Sequence, residues 1–239
     1  MAPADYLARV DGLDLKAAGV LVMAPEGDLD ATRRLNDAVL ELASDGPWYA
    51  VCSVHPRDGG AAMDEIDRVA AAGAKGLKLH PNTQSFDLAD PGVAMIVTKA
   101  TAHGLPVLFD GFSPFDPAQP GKFVSLAMSQ PDARIAIAHM HFMKFAELLV
   151  YPVLERYPQF SRNVWFDMSA VSPFFAGSPY AQQFGWVCRQ LGSDRLLWAS
   201  DFPFDDPVAS RSAVDTYGFT DAELRAICHD NAGALYGLE

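Results

Sequence analysis

The feature that most constrains this chain is a recurring unit in which a short apolar run ends at a histidine or an acid and an amphipathic helix pattern follows. The runs span Val20 to Met23, Trp48 to Val54, Gly76 to Pro81, Pro106 to Asp110, Arg134 to His141, Asn163 to Ser169 and Leu196 to Asp201. Between them, helical spacing covers Pro3 to Ala18, Asp28 to Ala43, Met63 to Ala72, Pro91 to His103, Lys122 to Ser129, Phe145 to Tyr157 and Tyr180 to Leu191. A last helix opens at the capping box Thr220-Asp221-Ala222-Glu223 and runs to about Tyr236. Short strands alternating with helices of this length predict a parallel α/β sheet. Seven or eight such units in 239 residues favour a (β/α)8 TIM barrel as a single domain over 1–239. No linker or low-complexity tract interrupts it.

If the strands are parallel, the residues at their far ends face one side, where a rigid scaffold collects reacting groups. His55, His80, Asp110, His139, His141, Asp167, Ser169 and Asp201 all stand at or just past a last apolar position. Ends populated so often by His and Asp predict an active or metal site. Asp201 closes Leu196-Leu197-Trp198-Ala199-Ser200 before Pro203 forbids further pairing, and reads as an acid at the tip of a buried strand, or as a turn residue. Period-two alternation puts His139 and His141 on the face of Ile135 and Ile137, a geometry for two nitrogen ligands, although one of them can instead cap a carbonyl. Lys78 shares a face with His80. It can hold an anionic substrate, bridge ions if carbamylated, or pair with an aspartate. Asp167 and Ser169 form a structural or substrate-positioning pair, and His55 beside Pro56 has the weakest claim. The long Gly, Ser and Pro-rich loop from Gly111 to Gly121 is of a kind that often carries function.

A formal charge of −12 argues against a nucleic-acid partner or an anionic membrane surface. Cys52, Cys188 and Cys228 lie far apart with no CxxC spacing, so buried thiols in a cytoplasmic protein are expected rather than disulfides or a cysteine zinc site. The start shows no signal peptide, and no run is long enough to span a bilayer.

Several short stretches together resemble the amidohydrolase-2 branch of the amidohydrolase superfamily: Gly76-Leu77-Lys78-Leu79-His80-Pro81, Pro106-Val107-Leu108-Phe109, Ala138-His139-Met140, Phe166-Asp167-Met168-Ser169, Ala199-Ser200-Asp201-Phe202-Pro203, and Asp230-Asn231-Ala232 with Leu235-Tyr236-Gly237. The resemblance runs from about Gly73 onward. It implies a (β/α)8 barrel and a hydrolase, or a decarboxylase of aromatic or unsaturated acids, with one divalent metal, zinc foremost. Asp201 takes the place of the family's strand-8 aspartate, which binds metal or activates water. His139 takes that of the strand-6 histidine, which polarises substrate or shuttles a proton. Two departures stand out. The family's opening His-x-His is absent, which implies either a start too far downstream or a barrel with its first strand lost or remodelled. Asp110 follows Phe109 where the family has a histidine ligand, and a carboxylate can still bind a divalent ion.

The expected function is therefore hydrolysis of a small organic acid, lactone or amide, with Asp201 as general base and His139 stabilising the oxyanion. His80, Asp110, His139 and Asp201 form the candidate metal set, and Lys78, His141, Asp167 and Ser169 the candidate substrate contacts. The alternatives are a decarboxylase using the same groups, or a catalytically degenerate paralogue that binds a ligand. Without an amino-terminal histidine pair, weak metal binding is expected. A lost first strand would expose the edges of the Val20 and Leu196 strands, which leaves a homodimer open.

Overall fold

The computed structural model describes residues 3–238. Helix α1 (Pro3–Arg9) opens the chain, and the strands then follow in one sheet whose order is the chain order, β1 through β7. By contacts the residues form two compact units, one of 16–136 with 158–164, the other of the remainder.

The first unit carries β1 (Ala18–Leu21), α2 (Leu29–Ala43), β2 (Trp48–Ser53), α3 (Gly60–Ala71), β3 (Gly76–Leu79), α4 (Pro91–Ala102), β4 (Val107–Asp110) and α5 (Gln119–Ser129). The β1–β2, β2–β3 and β3–β4 pairs are all parallel. Each crossover is a helix, as a parallel connection requires. Asp28 caps α2 by accepting from Ala31 N, and Thr32, Asn36 and Val39 are buried along one face. Asp90 caps α4 in the same way, and Val93, Ile96, Val97 and Ala100 form its inner stripe. Strands β3 and β4 are buried throughout, which explains their unbroken apolar runs.

Polar side chains lace the ends of the first three strands. Ser53 Oγ donates to Lys78 O (2.8 Å) and accepts from Ala24 N (3.0 Å). Asn36, wholly buried, accepts from Ser53 N and donates to Ser53 O and Glu65 Oε1. Glu65 is held in turn by Arg68. Burial acts to raise its pKa, but hydrogen bonds from Arg68 and Asn36 and the charges of Arg68 and Arg33 outweigh that and lower it.

The second unit carries α6 (Val150–Leu154), most of β6 (Val164–Asp167), α7 (Val171–Phe175), α8 (Ala181–Leu191), β7 (Leu196–Leu197), α9 (Pro207–Asp215), α10 (Asp221–Arg225) and α11 (Asn231–Tyr236). Strands β6 and β7 pair in parallel, Phe166 with Leu196 and Asp167 with Leu197. Phe145, Phe175, Phe184 and Tyr217 form a buried aromatic core, in which Phe145 meets Phe175 and Phe184 edge-on, as Phe184 meets Tyr217. The expected capping box is present, with both reciprocal bonds between Thr220 and Glu223.

Four expectations need correction. The first helix ends at Arg9 rather than Ala18, and β1 begins at Ala18, two residues earlier than expected. The fifth strand, β5, covers Ile135–Ala138 and does not reach His141. His139, Met140, His141 and Phe142 have φ of 61°, 45°, 58° and 48°, so the chain leaves the extended region and the period-two argument for a shared histidine face fails. Strand β7 is two residues long instead of running to Ser200, because Trp198 N donates to Ile227 O outside the sheet, and Asp201 then turns the chain at φ 60°. Helices α7 and α9 lie outside the stretches of expected helical spacing.

Candidate active site

In the first unit, the segment after β3 is built around Gln84. This side chain is 6% exposed, and its Nε2 donates to Ala24 O (2.9 Å) and Val54 O (3.1 Å) while its Oε1 accepts from His80 N (2.8 Å). One amide thus ties the ends of three strand connections together. His55, wholly buried, bonds through Nε2 to Gln84 O (2.7 Å) and through Nδ1 accepts from Arg57 N. Because a carbonyl only accepts, Nε2 carries the proton, and His55 is a structural histidine.

His80 Nδ1 accepts from Thr83 N (3.3 Å) and stands 3.6 Å from Asp110 Oδ2, beyond hydrogen-bond range. Asn82 donates to Phe112 O and accepts from Ser113 Oγ, so the loop after β4 is pinned to the loop after β3 beside Asp110. Lys122 reinforces this by bridging Asp87 and Asp116, which raises its own pKa and lowers that of Asp87. Phe115 is held 86% exposed on that anchored loop. Lys78 and Asp110 are both buried.

In the second unit, the left-handed stretch His139–Phe142 faces the turn after β6. His139 Nδ1 lies 3.1 Å from both Ser169 O and Ser169 Oγ. Ser169 N donates to Asp167 Oδ1 (2.7 Å), and Asp167 and Ser169 are both buried. The Ser169 carbonyl can only accept, whereas its hydroxyl can donate or accept, so a bond to the carbonyl is made by the tautomer with its proton on Nδ1 and its lone pair on Nε2. Three residues on, Phe142 packs against Phe174 with ring centroids 4.8 Å apart, and Phe174 is 55% exposed. Two contacts therefore join the same segments, His139 with Ser169 and Phe142 with Phe174. Four successive non-glycine residues at positive φ are costly, and such strain concentrates at functional sites. His141 is buried, unlike half-buried His139.

Asp201, half-buried, sits in a turn whose backbone it closes by accepting Phe204 N (2.9 Å). Tyr6 of α1 packs edge-on against Phe202, and burial pushes its phenol up against the opposing effect of a hydrogen bond with Ser200. Phe204 is 86% exposed next to this turn.

Gln84, Asn82, Ser113, Phe142 and Phe174 were not singled out by sequence. Apart from the bond of Gln84 to His80 N, the partners that place them lie about 30 to 60 residues away, so no local pattern marks them.

Seven parallel strands in chain order alternating with helices define an α/β fold of the TIM type. The family model for amidohydrolases of the second branch matches residues 2–238, and the chain belongs to that family. Solved structures of similar fold include 5-carboxyvanillate decarboxylase from Sphingomonas paucimobilis (TM-score 0.75, 16% identity, covering 100% of this chain and 84% of that one). Also similar is 2,6-dihydroxybenzoate decarboxylase from Rhizobium (TM-score 0.76, 16% identity, 100% and 89%). A third is a dihydroxybenzoic acid decarboxylase from Polaromonas sp. JS666 with bound manganese (TM-score 0.73, 14% identity, 100% and 86%). No curated protein matches the chain.

Among the described residues, no three His, Cys, Asp or Glu side chains are grouped so as to hold a metal ion. No helix among them is long and apolar enough to cross a membrane.

Proposed function

We propose that the chain is a lyase that decarboxylates an aromatic or unsaturated carboxylic acid. The observation that carries this is the His139 ring anchored on Ser169, with the partly exposed Phe142–Phe174 pair joining the same two segments. Hydrolysis with His139 as oxyanion donor needs an N–H aimed at the developing charge. The neutral ring has one N–H, and Ser169 takes it, so Nε2 offers a lone pair instead. That suits a group that accepts, holds and returns a proton.

In decarboxylation, the bond from the substrate carbon to its carboxylate breaks and the electron pair stays on that carbon. The carbon takes up one proton, and neutral CO2 leaves. Phe142 and Phe174 offer flat apolar faces to a planar substrate. His139 Nε2 and the Asp201 carboxylate are the proton carriers. His141 and Ser169 remain substrate candidates in the unit of His139, as Lys78 does in the other unit, and no ion is assigned to His80, Asp110, His139 and Asp201, among which the described residues form no group of three. The fold shared with solved decarboxylases supports the reading. The family match over 2–238 supports one domain, and three free cysteines support a cytoplasmic setting.

The test incubates purified protein in D2O with dihydroxybenzoates and carboxyvanillates, and separately with lactones and amides, in arms without metal, with Mn2+ and with Zn2+. The expected result is CO2 release with one deuteron per turnover on the carbon that lost it. Hydrolysis of a lactone or amide with every carboxylic acid untouched would refute the proposal.

A further inference from the structure

The carboxylate of Asp167 is buried at the end of β6, yet its one resolved bond is to backbone: Oδ1 accepts from Ser169 N at 2.7 Å. That bond bends the chain after β6 into the turn that ends with Ala170 at φ 58°. Inside the turn the Ser169 carbonyl is held by a second donor, Val171 N, and points at His139 Nδ1. The chain of contacts runs from a carboxylate to a backbone amide, to a carbonyl, to an imidazole. Its last link decides which ring nitrogen keeps the proton.

We infer that Asp167 is a positioning residue: by fixing the Ser169 carbonyl it holds His139 in the Nδ1–H tautomer, so that the Nε2 lone pair is the ring's reacting face. Asp167 then acts through His139 and not on substrate, and the Ser169 carbonyl, rather than its hydroxyl, is the operative group. Its catalytic consequence rests on the decarboxylase reading, whereas the tautomer itself does not. Without the Asp167 bond, the turn relaxes and Nδ1 loses a fixed acceptor. The ring then populates Nε2–H, a form that offers a donor where a lone pair is needed. Outer partners that fix a histidine's tautomer and orientation typically matter by about 10–100-fold in activity.

The experiment is long-range 1H–15N correlation on histidine-labelled protein in mildly alkaline buffer, where imidazole is neutral. It needs no substrate. His139, assigned by loss of its signals in His139→Gln, is expected to show a pyrrole-type Nδ1 and a pyridine-type Nε2. Ser169→Ala, which keeps the carbonyl, should preserve that pattern. Asp167→Asn, whose amide oxygen still accepts, should also preserve it. Asp167→Ala should shift the pair toward a mixture or reversal, and Asp167→Val serves the same purpose if the alanine variant does not fold. A pyridine-type Nδ1 in wild type, reversal in Ser169→Ala, or an unchanged pattern in the variants lacking the acceptor overturns the inference. With a substrate in hand, Asp167→Ala should lower kcat at least about tenfold with KM little changed. A correct tautomer response without decarboxylation would sink the functional reading and leave the positioning role standing.

Discussion

Replacing Gln84 with glutamate changes one NH2 group to oxygen and nothing else in shape. In the native site that NH2 supplies a donor to two carbonyls, Ala24 O at 2.9 Å and Val54 O at 3.1 Å, both in buried residues. A buried acceptor deprived of its donor costs about 1–3 kcal/mol, so losing both costs roughly 2–6 kcal/mol before any repulsion from the carboxylate. For a chain of this length each kcal/mol moves the unfolding midpoint by about 2–4 °C. A fall of roughly 5–20 °C at pH 7 is therefore expected by calorimetry or circular dichroism. The deficit should also depend on pH. Carbonyl oxygens on two sides favour the protonated acid, so the introduced Glu has a folded pKa above its unfolded value of about 4.3. Stability is then fullest below that unfolded value and declines as pH rises through the folded pKa, so the variant should lie closer to wild type in acid than at pH 7. Gln84→Met removes these two bonds and the one from His80 N without introducing a charge, so its deficit should show no such pH dependence. A glutamate variant within a degree or two of wild type at pH 7 would refute the account of how the three strand ends are tied.

Asp201→Asn keeps the shape of the turn and removes the proton acceptor; it should cost on the order of 10²-fold or more in turnover with a nearly unchanged midpoint, and an active but less stable variant would reduce Asp201 to a turn residue. Glu65, whose folded pKa is depressed, contributes stability above its unfolded pKa of about 4.3, and this is lost as pH falls through the lower folded value. Glu65→Gln should flatten that acid limb in unfolding titrations, and Glu65→Leu, which strands Arg68 and Asn36, should cost roughly 3–5 kcal/mol. Gly92→Ala places a Cβ against the Pro56 carbonyl oxygen, backbone that cannot swing aside, and should destabilise by about 1–3 kcal/mol in denaturant titration.

Where a signal is local, the chain announced it. A cap bond spans only two or three residues, as at Asp28 and Asp90. Thr220 and Glu223 read as a capping box for the same reason. The buried faces of α2, α4 and α8 follow the 3.6-residue period directly. Asp167 and Ser169 were visible as a spaced pair, although the bond between them runs to backbone. His139 and His141 misled, since alternation holds only while the chain is extended, and nothing local marks four non-glycine residues for positive φ. The tip of β7 misled likewise: an apolar run describes burial, and burial persists after the strand's ladder has stopped.

The alternation of strands with helices, the parallel order that this forces, the helix caps and the family were determined by the sequence alone, because each depends on residue type at short spacing. The tertiary structure alone decided which nitrogen of His139 keeps its proton, that His55 is structural, and that Gln84 joins three strand ends. Those facts rest on hydrogen bonds across about 30 to 60 residues, and the partner of a buried polar atom is chosen by packing rather than by its neighbours in the chain.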